Sequence, residues 1–316
     1  MISILEFDHA LKSIPNLIAQ ESNSPRIFTL SVKKRFDKYT LLDLYSESFP
    51  HVNRDFWKHK IESGNLLLNK KETTPNQIVR AGQITQHTVA AKEEPNVNWN
   101  IELIHASTNY WVVNKPSPLP VHSGGRYLHN TLTNGLKLAF PDLTFHLINR
   151  LDANTTGIVL IALNKKYANL LSKQFENRKV TKNYLALVEG FSDHSIFECS
   201  SSISKEKTPA GGRTLVEGNN SQTNFKVLKE LKNYSLLQVQ PHSGHTNQIR
   251  LHLASLKLPI VGDLGYKKPD YFKNNPLTYP TDTLFLHAWK LKFEDPETLK
   301  TVEFMASPNS KWQKYL

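Results

Sequence analysis

Asp152 stands two residues after Arg150 in the stretch HLINRLDANTTGIVLIALNKK, at the junction of two apolar runs. A carboxylate there has two uses. It closes a turn on its own backbone, the commonest role of Asp beside Asn, Thr and Gly. Or it serves as a base or nucleophile, which requires a cleft and a neighbouring cation that favours the ionised form. LTFHLINRL reads as a strand, DANTTG as a turn and IVLIAL as a buried strand, so Asp152 lies at the lip of a sheet. Asn164 caps a helix carrying Ala168, Leu171 and Phe175 on one face. The helix returns the chain to KVTKNYLALVEG, where Tyr184, Ala186 and Val188 share one side of a strand and Tyr184 can reach the cleft of Asp152. In VQPHSGHTNQIRLHLASLKLPIVGD, Ile249, Leu251 and Leu253 alternate with Arg250 and His252. That alternation predicts a strand with Arg250 on the face opposite the apolar one. A guanidinium so placed can hold a carboxylate charged.

The elements that must position these groups sit in a basic chain of 316 residues. Lys and Arg number 39 against 28 Asp and Glu, a formal charge of +11, and aromatic residues make up 10%. That field favours a polyanion and supplies rings on which bases stack, so nucleic acid outranks an acidic metabolite as partner. The single cysteine, Cys199, excludes a disulfide framework or thiolate cluster within the chain and suits a reducing compartment. No apolar run is long enough to span a bilayer, and the first residues carry acids where a secretory signal has a basic then apolar block. The expectation is a cytoplasmic protein with no membrane contact.

Four segments follow from composition and punctuation. Residues 1–30 form an extension with a short amphipathic helix bearing Ile4, Leu5, Leu11 and Ile14. Residues 31–87 hold a helix around Tyr39 to Tyr45, a second from Arg54 to Ile61 that stops at Gly64, and the strand NLLLN. Residues 88–100 read as a linker, and residues 101–316 as the domain carrying Asp152, opening with strands at Ile101 to His105 and Tyr110 to Asn114. Ala210 to Gly212 reads as a hairpin tip. His242, His245 and His252 have no recognised zinc spacing, and the paired glycines of HSGGRYLHN lack the following helix of a phosphate loop, so no metal is expected. Trp57, Trp111 and Trp289 read as core or interface residues.

Five blocks occur in order: VVNKPSPLPVH, NRLDANTTG, LSKQFENRKVTKNYLALVEG, GHTNQIRLHLASLKLPIVGD and LHAWKLKF. Together they resemble the RluA-type pseudouridine synthases over Ile101 to Phe304. NRDFWKHKIESGNLLLNKK resembles the S4 RNA-binding module, with Asn69-Lys70 in place of its usual Asn-Gly and Gly82-Gln83 in place of Gly-Asp. The resemblance implies an α+β fold: a mixed, mostly antiparallel sheet with an RNA-lined cleft, preceded by a small α+β S4-like module. It implies an isomerase that converts uridine to pseudouridine in structured RNA, tRNA or rRNA, with no cofactor; the expected state is a monomer.

The resemblance also assigns roles. Asp152 is the catalytic carboxylate, Tyr184 packs on the target uracil, and Arg250 is the basic partner of the acid. Arg150 takes the place of the flipped base. Lys115 and Pro116 border the cleft, and Ile260 and Val261 wall the base. Thr155, Lys182 and Gln248 fall in the same blocks as substrate contacts, while Arg54 and Lys58, with Lys60, are phosphate contacts. Asn149 stands where the family has His, and His245 and Asn247 where it has Arg and His. These departures fall among the RNA contacts and leave a second reading open, a non-catalytic RNA-binding or maturation factor that kept the fold. Within the isomerase reading, Asp152 either attacks covalently or removes a ribose proton.

Overall fold

The structure is a computed structural model describing residues 2–22, 25–50, 52–89, 94–124, 127–205, 213–267 and 284–316. The centre of the expected linker and the expected hairpin tip at Ala210 to Gly212 lie outside the described residues. The chain divides into two compact units, Ala19–Glu93 and a larger one made of Met1–Ile18 with Glu94–Leu316. Among the described residues no helix is long and apolar enough to cross a membrane.

Two helices open the chain, α1 (Ile4–Leu11) and α2 (Ile14–Ser22). Ser3 starts α1 with a capping box, accepting from the Glu6 N–H while the Glu6 carboxylate reaches back. The buried stripe is Phe7, Leu11, Ile14 and Ile18, which enters the core of the larger unit beside Trp111, Leu132 and Leu136. Ile4 and Leu5, read as part of the apolar face, are exposed. Phe7 carries that face instead, with its ring edge-on to Trp111 and stacked on Phe140.

The smaller unit contains β1 (Arg26–Ser31), α3 (Leu41–Ser48), α4 (Arg54–Glu62), β2 (Leu66–Leu68) and β3 (Ile84–Val89). Thr40 and Asn53 cap the two helices through their side chains. Gly64, at φ +71°, turns the chain out of α4 as its position predicts. Asn69 and Lys70, at φ 49° and 65°, make the left-handed turn after β2, and Lys71 pairs back to Leu68. The strands form an antiparallel sheet in the order β1-β3-β2, over a core that includes Tyr45, Trp57, Ile61 and Leu66.

In the larger unit the strands are β4 (Glu102–Ala106), β5 (Tyr110–Lys115), β6 (His146–Leu147), β7 (Thr156–Ala162), β8 (Thr181–Glu189), β9 (Ile196–Ile203), β10 (Leu215–Glu230), β11 (Tyr234–Pro241), β12 (Leu286–Glu294) and β13 (Thr301–Met305). They form one sheet in the order β4-β5-β7-β12-β8-β11-β10-β9, with β6 on β7 and β13 on β12. Every pairing is antiparallel except β7 with β12, which gives the mixed, mostly antiparallel α+β architecture expected. Helices α5 (Leu132–Ala139), α6 (Lys165–Glu176), α7 (Gln248–Ser255) and α8 (Leu264–Lys267) complete the unit. Asn164 caps α6 by accepting from the Tyr167 N–H.

Register explains how distant segments meet. Lys115 pairs with Gly157, Gly157 with Ala288, Ala288 with Tyr184, and Tyr184 with Val239, one row across five strands. At its centre Gly157 has φ +112°, and a Cβ there would run into the Ala288 backbone. Only glycine lets the parallel pair close.

Two expectations need correction. The strand read from LTFHLINRL is only the two residues of β6, and past Asn149 the chain leaves the sheet to form the loop carrying Asp152. The segment around Arg250 is the helix α7, not a strand. Asn247, at φ 60°, turns the chain into it, and Gln248, Ile249, Leu251, His252 and Leu253 are all buried. A helix covered on nearly every side has no polar face to show its period. The alternation of its apolar residues was therefore uninformative.

Candidate active site

The loop bearing Asp152 is fixed at both ends. Ile148 N–H donates to the Leu160 carbonyl at 3.0 Å, continuing the β6–β7 ladder. The Asn149 side chain takes the next step, its Oδ1 accepting from Leu160 N–H at 2.8 Å and its Nδ2 donating to the Ile158 carbonyl at 3.0 Å. Past Asp152, the Thr155 N–H closes a turn on the Asp152 carbonyl at 3.1 Å, and the Thr155 side chain is buried. Lys115 lies beneath, fully buried, with Nζ donating to the carbonyls of Pro116 at 2.8 Å and Ala153 at 3.2 Å. Burial draws the Lys115 pKa down to about 7, against the opposing charge of Asp152.

Asp152 projects into a cleft of about 880 Å³ lined also by Arg150, Tyr184, His245, Asn247 and Arg250. Its side chain is 37% exposed, and its Oδ2 lies 3.4 Å from Nη1 of Arg250. Arg250 itself is 16% exposed and held on three sides. Nε and Nη2 reach Asp263 at 2.7 and 2.8 Å, Nη1 donates to Asn247 Oδ1 at 3.0 Å, and the guanidinium lies 4.8 Å from the Tyr266 ring centre. Asn247 also donates to the Tyr266 hydroxyl at 2.8 Å. Burial, the largest influence on Arg250, opposes its charge, but the bonds and charge of Asp263, with Asp152, outweigh it and raise the pKa. The Tyr184 phenol is pushed up by burial and then by the Asp152 charge, so it stays protonated.

The cleft is cationic. Arg150, Arg178, Lys182, Arg213 and Arg250 line it, against the acids Asp152 and Glu176. Lys182 donates to the Ser243 carbonyl at 2.8 Å, and burial, then Arg178, draws its pKa down to about 8. Burial and the cations Arg178, Lys182 and Arg213 lower the pKa of the exposed His245. Arg150 is exposed, 3.4 Å from His122.

Several residues expected at the site also hold the protein together, Asn149 and Gln248 from the wall of the cleft itself. Asn149 bonds β7, as described. Gln248 is buried, its Nε2 donating to the Gln222 carbonyl and Thr223 Oγ1 while its Oε1 accepts from Ser243 and the His245 N–H. Ile260 and Val261 are not among the residues lining the cleft. Ile260 is buried beside Val188 and Leu286, and Val261 exchanges backbone bonds with Leu187 and Phe285. Arg54 and Lys58 belong to the smaller unit, where Asp43 and Glu62 pair with them.

Sequence reasoning missed Asp263, Tyr266, Arg178 and Arg213. Asp263 ends one of the quoted blocks, and an acid closing that block was the available signal. The others carry no spacing signature. As built, the cleft suits a phosphate-bearing substrate: cations for its charge, a protonated phenol, and a carboxylate open on one side for attack or proton removal.

Residues 109–255 match the family described as RNA pseudouridylate synthase. Over 305 residues the chain is 30% identical to the ribosomal large subunit pseudouridine synthase C of Haemophilus influenzae, covering 90% of this chain and 92% of that one. It is 29% identical over 250 residues to the mitochondrial tRNA pseudouridine(32) synthase of Saccharomyces cerevisiae, covering 77% of this chain and 54% of that one. The structure of human RNA pseudouridylate synthase domain containing 1 superposes with a TM-score of 0.54 at 28% identity, covering 68% of this chain and 86% of that one.

Proposed function

This chain belongs to the RluA-type RNA pseudouridine synthases, isomerases that convert uridine in RNA to pseudouridine, and from that premise we propose that Asp152 is the residue that begins the reaction. The observation carrying the proposal is the carboxylate itself, open to a cationic cleft, 3.4 Å from a guanidinium and sharing that cleft with a protonated tyrosine.

The reaction breaks the N1–C1′ bond of uridine, rotates the base and joins C5 to C1′; the hydrogen lost from C5 is balanced by one gained at N1. Asp152 serves as the nucleophile at C1′ or as the base for a ribose proton, and Arg250 stabilises its charge in either route. The Tyr184 ring covers the uracil while it turns. The target base leaves its stack first, at a cost of a few kcal/mol, about the least for a looped or unpaired uridine. Arg150, exposed at the rim, fills the space the base vacates, and Arg178, Lys182 and Arg213 take the flanking phosphates. The smaller unit, resembling an S4 module, adds RNA affinity. The protein works as a cytoplasmic monomer on structured RNA, tRNA or rRNA.

The reading as a non-catalytic factor drew on Asn149, His245 and Asn247. Two of them have structural employment that leaves the chemistry served: Asn149 anchors the Asp152 loop and Asn247 holds Arg250. Incubation with total tRNA and rRNA, scored for pseudouridine, tests the proposal. The wild type is expected to form product, and Asp152→Asn to lose about 10³-fold or more in rate while binding RNA normally. Equal product from Asp152→Asn overturns the role of Asp152.

A further inference from the structure

Of the three cations that the sequence offers as RNA contacts on α4, Arg54 and Lys58 lie beside acids of the smaller unit. Arg54 Nη2 lies 2.6 Å from Asp43, and Lys58 Nζ lies 4.0 Å from Glu62. The other flank of the helix is built differently. Phe56 and Lys60 are four residues apart, neighbours on one face, and Lys60 Nζ sits 5.6 Å from the centre of the Phe56 ring. Among the described residues no carboxylate pairs with Lys60.

Two further rings join this flank. His87, on the central strand β3, lies edge-on to Phe56 with centroids 6.4 Å apart. Phe28, on the edge strand β1, stands opposite His87 in register, with centroids 6.5 Å apart. His87 is buried and its Nε2 has no partner among the described residues, whereas Phe28 is 51% and Phe56 44% exposed. Burial, with the charge of Lys60 adding to it, lowers the His87 pKa and leaves a neutral ring between the two phenylalanines.

Exposing two phenylalanines, each against His87, forgoes burial that ordinarily stabilises a small fold, and such patches rimmed by polar groups mark interaction sites. Charge selects the occupant. Within Ala19–Glu93, 12 Lys and Arg face 8 Asp and Glu, and the ammonium of Lys60, which pairs with no carboxylate among the described residues, is at the patch. We propose that the exposed rings of Phe28 and Phe56, both packed on the buried His87, form with Lys60 a platform on which unpaired nucleotides of the RNA substrate stack. Bases offer flat faces of every sequence to such rings, and a nucleotide stacked on Phe56 has its phosphate within reach of Lys60. The inference rests on the reading of this protein as an RNA-modifying enzyme and adds where, and to which form of RNA, the smaller unit binds.

The test uses the full chain and two fluorescein-labelled RNAs, a hairpin with an unpaired extension and the same hairpin blunt. Wild type is expected to prefer the extended hairpin. Phe28→Ala and Phe56→Ala each weaken its binding about 5- to 150-fold and together erase the preference. Phe56→Trp keeps it, which separates stacking from a folding defect. Lys60→Ala lowers the slope of log K against log salt by about 0.7. Ile84→Ala, on the opposite face of the sheet, keeps wild-type affinity. Wild-type binding of the extended hairpin by both alanine variants overturns the platform, even where pseudouridine is formed. If no RNA is isomerised and the alanine variants still lose the preference, the platform stands and the enzymatic reading falls.

Discussion

Arg250 is clamped by Asp263 through two side-by-side bonds, at 2.7 and 2.8 Å, so its guanidinium plane is set independently of Asp152. Asp263 is 2% exposed and also accepts the N–H groups of Gly265 and Tyr266, which makes it the fixed point of the arrangement. Bidentate pairing restricts orientation as well as distance. The cation presented to Asp152 is therefore preorganised.

Asp263→Ala leaves that guanidinium without its main partner. Breaking one side of a buried pair costs about 3–5 kcal/mol. Urea unfolding is expected to report a loss of that order. In single-turnover assays at saturating RNA, the chemical step is expected to slow about 10²-fold, as misplacement of a catalytic neighbour does. Asp263→Asn, which keeps one acceptor, falls between. An unchanged single-turnover rate in a folded Asp263→Ala protein rules out the positioning role.

Asn247 joins two properties that substitutions can separate. Its backbone is left-handed at φ 60°, and its amide bridges Arg250 to Tyr266. Asn247→Gly keeps the backbone and loses the amide; Asn247→Ala loses both. Glycine is expected to cost about 1–2 kcal/mol for two hydrogen bonds, and alanine about 1 kcal/mol more for the strained backbone. Both are expected to slow the chemical step by the same factor, because only the amide touches Arg250. A rate for glycine equal to wild type would show that the backbone alone matters.

How much of this was legible depends on how local each signal is. Tyr184 was placed because strand geometry puts it on one side of β8 with Ala186 and Val188, which are buried. Asp152 was placed because β7, buried at all seven positions, reads as one apolar run that must begin beside it. Arg250 was assigned to the cleft with the wrong element beneath it, since α7 is buried around most of its circumference and its apolar spacing fits either period. The bonds of Asn149 to β7, and of Gln248 to Gln222, Thr223, Ser243 and His245, were not legible, because a side chain that bonds a distant backbone leaves no mark in sequence. Phe7 was passed over for Ile4 and Leu5, and only the packing of Trp111 and Phe140 distinguishes them. Asp263 is a nonlocal partner, and no spacing rule ties an acid to an arginine thirteen residues earlier.

Lys115 gives a pH signature. An unfolded lysine keeps its proton to about 10.5, whereas burial brings the folded group down to about 7. Between those values the unfolded chain binds the extra proton, so stability rises with pH. A neutral amine has two hydrogens, matching the carbonyls of Pro116 and Ala153 that accept from Nζ. Relative to Lys115→Met, wild-type unfolding free energy is expected to rise by about 1 kcal/mol per pH unit between about pH 7 and 9. Denaturant titrations across that range measure it. A difference between the two proteins that stays flat with pH would mean that the buried amine does not titrate there.

Asn149 decides between an RNA contact and a structural rung. Asn149→Ala strips partners from Leu160 N–H and the Ile158 carbonyl, both on a strand buried along its whole length. Leaving them unmet costs about 1–3 kcal/mol, visible as a lower unfolding midpoint. The loop running to Asp152 loses its anchor, so kcat falls while KM for RNA holds. Asn149→His, restoring the residue usual at this position in the family, is expected to destabilise too, since the one donor and one acceptor of a neutral imidazole diverge around a rigid ring where those of the amide sit side by side at its tip. The opposite pattern, a raised KM with an unchanged midpoint in Asn149→Ala, would return the residue to the RNA interface.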